Sequence, residues 1–305
     1  MIYKIKKLAP KDWPPLLSEI PTPPEKLFFA GEVPDYDRKF LCIVGARKYS
    51  QYGLDVVNTL VAGLRGLPVT IVSGLALGID SIAHRAALRN KLPTIAIPGS
   101  GLSPFALHPA THVNLAEEIA ASGGTLLSEY ESDFKATHYS FPQRNRIMAG
   151  MSHATLIIEA EQKSGTLITA KYATDFNREL MCVPGSIFAP QSEGPHLFLR
   201  LGATLVRNAD DILDVLQVGK LSFPTIQNSK LKIQDLSSDK SQDNSLRYSD
   251  CGPNEIHIIE LLSTPLERDE LLRLSELSVA DTQTTLTLLE LKGHIYEKLG
   301  QIHLK

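Results

Sequence analysis

The 305-residue chain is 43% hydrophobic and 21% charged, with a formal net charge of −3 and an isoelectric point near 6.3. That is the balance of an ordinary soluble globular protein and excludes a polycation that coats nucleic acid by bulk charge. The three cysteines, Cys42, Cys182 and Cys251, are too dispersed for a disulfide framework or a paired metal site, and the N-terminal MIYKIKKLAPKDW lacks an apolar core of signal-peptide length, so a cytoplasmic protein without a membrane span is expected.

In chain order, residues 1–37 carry the Pro-rich WPPLLSEIPTPPEKL and are expected to run extended and pack on the core that follows. From 38 to 218, short apolar runs alternate with helical patterns: FLCIV (40–44), VTIVS (69–73), TIAIP (94–98), TLLSE (125–129), ATLIIEA (154–160), LMCVP (180–184) and ATLV (203–206). These runs lack polar alternation, as strands buried on both faces do. Between them lie helix candidates such as SQYGLDVVNTLVAGLRG, with Ser50 as N-cap, and SGTLITAKYATDFNR, with Ser164 as N-cap. Strand–helix–strand repetition predicts an α/β fold with a doubly wound parallel sheet, whose post-strand loops share one edge. Residues 219–252, rich in Ser, Asp, Asn, Gln and Lys, read as a flexible linker. Residues 253–305 offer three short helical patterns and then HIYEKLGQIHLK, two short strands around a Lys-Leu-Gly turn, which is a small winged-helix plan. The charge is uneven: residues 38–218 hold 16 Lys+Arg against 15 Asp+Glu, whereas 252–305 hold 5 against 9.

Four segments on the shared edge carry chemistry. IVGARKYSQYG (43–53) has Gly45 in a tight turn, with Arg47 and Lys48 before a helix. SGLALGIDSIAHRAAL (73–88) has the layout of a phosphate-binding turn, yet it lacks the Gly-Lys-Ser/Thr ending of a P-loop and the spacing of a dinucleotide fingerprint. FPQRNRIMAGMS (141–152) sets Phe141 beside Arg144, Asn145 and Arg146, and EAEQKSGTLITA (159–170) brings Lys163, Ser164 and Gly165 to a helix start. Backbone N–H groups at helix N-termini favour anions, and an aromatic among cations suits stacking on a base. Arg144 and Arg146 diverge on a helix at about 100° per residue, so one of them is expected to reach the groove. Each segment also has a plainer reading: surface basics at a turn, arginines paired with Glu129 or Glu159, Asp80 as an N-cap, His84 as a locally bonded packing residue.

In this order, SGLALGIDSIAHRAAL, PGSGL, LLSEY, FPQRNRIMAGMS, IIEAEQKSGTLITAKYA, VPGSI and GPHLFLRLGATLV closely resemble the DprA/Smf family of DNA-processing proteins. The resemblance runs from about residue 20 to Val215, and the tail resembles the winged-helix domain of many members. It implies an extended Rossmann-like domain that dimerises, binds single-stranded DNA and interacts with the recombinase RecA, loading it onto incoming DNA during natural transformation. It also implies a phosphate contact for Arg47, a place at the nucleotide pocket for Phe141, and groove positions for Arg144, Asn145, Lys163, Ser164 and Gly165. Gly74 and Gly78 are then expected to keep their loop short so that backbone approaches a phosphate. Leu77 stands where many relatives have a basic residue, and Ser103, His108 and His112 replace the Asp, Tyr and Asn of the frequent GLDxxYPxxN pattern.

The competing expectation is a nucleotide-binding or nucleotide-hydrolysing enzyme of the lysine-decarboxylase-like group. Its PGGxGTxxE signature has only KSGTLITA (163–170) to match it here, without the double glycine or the glutamate. A winged-helix regulator of duplex DNA would need basic side chains on the last helix, and VADTQTTLTLLELK supplies only Lys292. The residues therefore favour a non-enzymatic DNA binder with no cofactor, no metal and no catalytic group.

Overall fold

In the computed structural model, residues 3–218, 252–262, 266–275, 277–292, 294–298 and 301–304 are described, and they belong to two compact units divided between Thr225 and Ile226. Two strands open the first unit, β1 (Lys6–Leu8) and β2 (Leu27–Gly31). There follow β3 (Lys39–Val44), α1 (Gln51–Gly63), β4 (Val69–Ser73), α2 (Ile79–Arg89), β5 (Thr94–Ala96), α3 (Val113–Ala121) and β6 (Thr125–Ser128). The unit continues with α4 (Ser140–Met151), β7 (Ala154–Ile157), α5 (Thr166–Asp175), β8 (Glu179–Cys182), α6 (Glu193–Arg200), β9 (Thr204–Leu205) and α7 (Ala209–Leu216).

The sheet order is β1-β2-β6-β5-β4-β3-β7-β8-β9, and the seven strands from β6 to β9 pair in parallel. All seven apolar runs are strands. Successive side chains of a strand point to opposite faces, and β3 shows why no polar alternation was present. Leu41 and Ile43 enter one core with Val57, Leu60, Ile79 and Ile82, while Phe40, Cys42 and Val44 enter a second with Ile147, Met148 and Ala170. Both faces are covered, so both need apolar residues. Cys42 and Cys182 are buried, free core residues, and burial pushes both thiols up.

The N-terminal segment is more than an extension lying on the core. β2 pairs antiparallel with β6 (Phe28 opposite Ser128) and β1 antiparallel with β2, so the sheet is mixed at this edge. Between them, Leu17 and Ile20 are buried against α4, where Gly150 leaves room for Ile20.

The second unit holds α8 (Pro253–Leu261), β10 (Leu266–Glu267), α9 (Arg268–Leu274), α10 (Val279–Leu291), β11 (Ile295–Lys298) and β12 (Gln301–Leu304). Among the described residues, Ile258, Ile259, Leu262, Leu271, Leu286, Leu289, Ile295 and Ile302 form its core. The three helices and hairpin are as expected, and β10 adds a third strand to the hairpin by pairing with β12. The segment read as a linker, apart from Gly252, and Leu299 and Gly300 of the turn lie outside the described residues. Among the described residues no helix is long and apolar enough to cross a membrane.

Candidate DNA-binding cleft

β3 is the first strand of the parallel array, and the chain builds outward from it through β4, β5 and β6 before returning to lay β7 on its other side. Strand order reverses at that point, and the loops leaving the C-terminal ends of β3 and β7 part to leave a crevice, the usual ligand position of such sheets. A cleft of ≈ 530 Å³ lies there. It is lined by the β3–α1 loop (Gly45, Arg47, Lys48), the β4–α2 turn and first residues of α2 (Ala76, Asp80), the first half of α4 (Phe141, Arg144, Asn145) and the β7–α5 loop with the start of α5 (Glu161, Lys163, Ser164, Gly165, Thr166).

The loops are tied together from below. Ser50 caps α1, its Oγ accepting from Gly53 N at 3.1 Å, and Glu159 beyond β7 accepts from both Ser50 N (3.0 Å) and Ser50 Oγ. Ser164 Oγ accepts from Thr166 N at 3.2 Å, and Thr166 Oγ1 donates to Gly45 O at 3.1 Å. The predicted cap Ser164 therefore sits one position early: α5 has Gly165 at its N-cap, and Ser164 still satisfies one of the free N–H groups of the first turn.

α4 is a helix across most of the FPQRNRIMAGMS segment, and its two arginines do diverge. Arg144 is 4% exposed, with Nη1 donating to Gly74 O and Ile97 O and Nε donating to Asn145 Oδ1 at 3.1 Å. Asn145 Nδ2 reaches Gly165 O at 3.5 Å, linking α4 to the α5 turn. Arg146 corrects the sequence reading, because it lies outside the cleft, donating to Thr22 O at 2.9 Å and forming an ion pair with Glu129. Gly74 is likewise beneath the cleft and does not line it. A Cβ there would strike the Arg144 guanidinium and the Asp80 carboxylate, and one at Gly78, where φ is +82°, would strike the backbone of Ala46 and Arg47. These glycines let the protein's own loops approach one another.

Asp80 is not an N-cap either. It stands second in α2, buried, with Oδ2 accepting from Gly74 N at 3.1 Å, and it interacts with Arg144. Burial raises its pKa, and Arg144 together with the N–H groups of Ala76 and Gly74 opposes that rise. Burial likewise lowers that of Arg144 while Asp80 raises it. The pair forms a charge-balanced floor, and the exposed groups set the sign of the cleft.

Those exposed groups are Arg47, Lys48 and Lys163 against Glu161. None of the three cations has an ion-pair partner among the described residues. Arg47 lies over the Phe141 ring, 5.5 Å from its centroid, within cation–π range. The His108 ring approaches Phe141 from elsewhere at 5.4 Å, and a Cβ at Gly99 would meet the ring at 2.6 Å. Phe141 is thus fixed at the mouth, half-buried. Gly165 takes φ −59° and has nothing within 4 Å of a would-be Cβ, so neither backbone nor packing requires a glycine there, and a larger side chain would project into open space beside the cleft. Thr169 was missed as a lining residue, and Thr166, the last residue of the KSGT turn, also lines the cleft; both stand on the first turn of α5.

At the family-variable positions, His108 and Phe141 are neighbours, while burial and Arg47 lower the His108 pKa. His112 is no surface residue: it is buried with Nδ1 at 2.8 Å from Leu75 O. Ser103 is buried, and Leu77 is half exposed outside the cleft lining. His84 is a packing residue, Nδ1 lying 2.8 Å from Thr94 Oγ1.

The family model described as DNA recombination-mediator protein A matches residues 4–217, and that of the DprA winged helix domain matches residues 253–300. The chain is 41% identical to Protein Smf of Escherichia coli K12 over 215 residues, which is 70% of this chain and 57% of that relative. It is 36% identical over 210 residues to DNA processing protein DprA of Bacillus subtilis, covering 68% of this chain and 70% of the relative. Its match to Protein Smf of Synechocystis spans 51% of that protein, so the chain covers only part of some relatives' length. Among solved structures it resembles DprA of Streptococcus pneumoniae (TM-score 0.65, 35% identity, 70% of this chain and 74% of that one). It also resembles the Helicobacter pylori protein described for its single-stranded DNA binding mode (TM-score 0.62, 29% identity, 70% and 96%). The chain belongs to the DNA recombination-mediator protein A family, DprA/Smf.

Proposed function

We propose that this chain binds single-stranded DNA in the β3–β7 cleft, without catalysis, and acts as a recombination mediator that passes the strand to RecA during natural transformation. The observation that carries the proposal is the grouping of three cations without an ion-pair partner among the described residues, Arg47, Lys48 and Lys163, with a ring fixed at the cleft mouth. Cations take phosphates of any sequence, and a ring takes any base. The carboxylates fit hydrolysis poorly, since Asp80 is buried against Arg144 and Glu161 stands exposed on the opposite loop. For a homodimer through this unit, the supporting feature is the β9 edge, where Leu205 is 43% exposed and Leu201, shortly before it in the chain, 72%. Patches of this kind mark interfaces.

The test is the affinity for labelled oligo-dT and for blunt duplex across a salt series. Three cations on a single strand predict log K falling with log salt at a slope of about −2. Single-stranded DNA should bind tighter than duplex; equal affinities would sink the proposal.

A further inference from the structure

Beside the cleft, the structure exposes two rings that nothing above employs: Phe105 at 92% and Tyr139 at 82%. A single exposed apolar residue is ordinary, but aromatic side chains grouped on joined loops mark an interaction site. Phe105 lies in the β5–α3 loop and Tyr139 in the β6–α4 loop, directly before α4. The two loops are joined: Gly101 N donates to Phe134 O at 2.8 Å, Ser103 N to Ser132 O at 2.9 Å, and Ser140 Oγ to Gly99 O at 2.6 Å. Tyr130 and Phe134 stack at 4.2 Å, and Tyr130 Oη donates to Gln143 Oε1 of α4 at 2.8 Å. The rings therefore stand on a built platform.

The platform continues the cleft. Phe105 is three residues before His108, whose ring touches Phe141, and Tyr139 is two residues before Phe141 itself. Lys135 and His138 are exposed on the same loop, as are the acidic Glu131 and Asp133, Glu131 being paired with Lys26 at 2.5 Å. A mixed-charge surface with protruding rings suits the bases of a strand more than its phosphates.

Building on the single-strand reading above, we propose that Phe105 and Tyr139 form a stacking extension of the cleft, engaging bases beyond those that Phe141 and the α5 turn hold. The rings set how much strand one copy covers.

The test uses the full-length protein and two oligo-dT probes: one of about five nucleotides, enough for the cleft, and one of about twenty. Phe105→Ala and Tyr139→Ala should each weaken the long probe at least about fivefold, the value of one stacked base, and leave the short probe unchanged. Tyr139→Phe, which keeps the ring, should restore the long-probe affinity. Equal loss on both probes, or no loss on either, overturns the extension. So does a change in oligomeric state by light scattering for Phe105→Ala, which would make the rings an interface between copies. Lys163→Glu separates the two levels of inference, because it should weaken both probes. Wild-type protein that binds neither probe would remove the single-strand reading and this extension together.

Discussion

Arg144 and Arg146 are two positions apart with opposite duties, and their contrast yields a prediction. Arg47→Glu, Lys163→Glu and Gly165→Val act on groups that touch little of the protein itself, so each should weaken DNA binding at every sequence alike while leaving the melting temperature near wild type. Arg146→Ala should do the reverse. It strands the partly buried Glu129, whose pKa burial already raises and Arg146 holds down, and should cost about 1–3 kcal/mol of stability with oligo-dT affinity intact. Urea unfolding alongside fluorescence anisotropy separates the two effects. Nothing in the sequence distinguishes the two arginines, because the direction of each depends on partners distant in the chain: the carbonyls of Gly74 and Ile97 for Arg144, and Thr22 O with Glu129 for Arg146. His84 carries a second prediction. It is fully buried, and burial lowers its pKa to about 3, followed by the nearby His112 and Arg144 and opposed by a backbone hydrogen bond at Ser73. The unfolded chain takes up a proton below about 6.5 and the folded protein does not. The stability this residue contributes is therefore complete above pH 6.5 and falls as pH drops towards 3, by about 1.4 kcal/mol per unit. In His84→Gln that part of the slope should vanish from pH-dependent unfolding; an unchanged slope would assign it to other groups.

The elements explain which parts were legible. Parallel strands covered on both faces must be apolar throughout, so the inner strands stood out as runs, while β9 at the edge was legible from ATLV although Thr204 and Leu205 are exposed; Ser50 announced α1 by a cap that the structure shows bonded. β1 did not stand out, because KKL is a short edge strand whose two lysines face outward, a common protection of sheet edges. α4 was concealed by chemistry: SFPQRN at its start is polar, yet Ser140, Arg144 and Asn145 are buried there through hydrogen bonds. Burial by bonding leaves no hydrophobic period to read. The shared-edge reasoning located nine of the eleven nominated residues in the cleft, and the two that fell outside, Gly74 and Arg146, support it from behind or hold the N-terminal segment. At this scale the cap that joins β7 to α1 is testable. Ser50→Ala and Glu159→Ala should each cost about 1 kcal/mol or somewhat more, since each removes a bonded partner at a helix start. The double variant should cost less than the sum, because both changes break the same network. Strict additivity in denaturant melts would show the two groups to act independently.

Two units in one chain pose the question of which carries DNA binding. The cleft lies wholly within the first unit, whose final described turn is closed by Val218, buried and donating its N–H to Leu213 O at 3.0 Å. The second unit has its own core of eight buried residues, including Ile258, Leu262, Leu286 and Leu289, and 5 Lys+Arg against 9 Asp+Glu over residues 252–305. Its helix α10 exposes Gln283, Thr287 and Leu288, which offers no cation for a phosphate backbone. A chain ending within residues 219–251, for instance at Ser238, should therefore fold with the melting behaviour of the first unit and bind oligo-dT as well as the full chain. Its affinity should be slightly higher at low salt, where the acidic residues it has lost repel phosphates over the longest range. Residues 252–305 alone should be only marginally stable, because so short a chain buries a small fraction of its surface. Titrating both proteins with oligo-dT at two salt concentrations, and comparing them in a RecA-loading assay, distinguishes the possible divisions of labour. Loss of DNA binding on truncation would refute the assignment of the site to the first unit, whereas a loss confined to RecA loading would place a protein-partner surface on the acidic second unit.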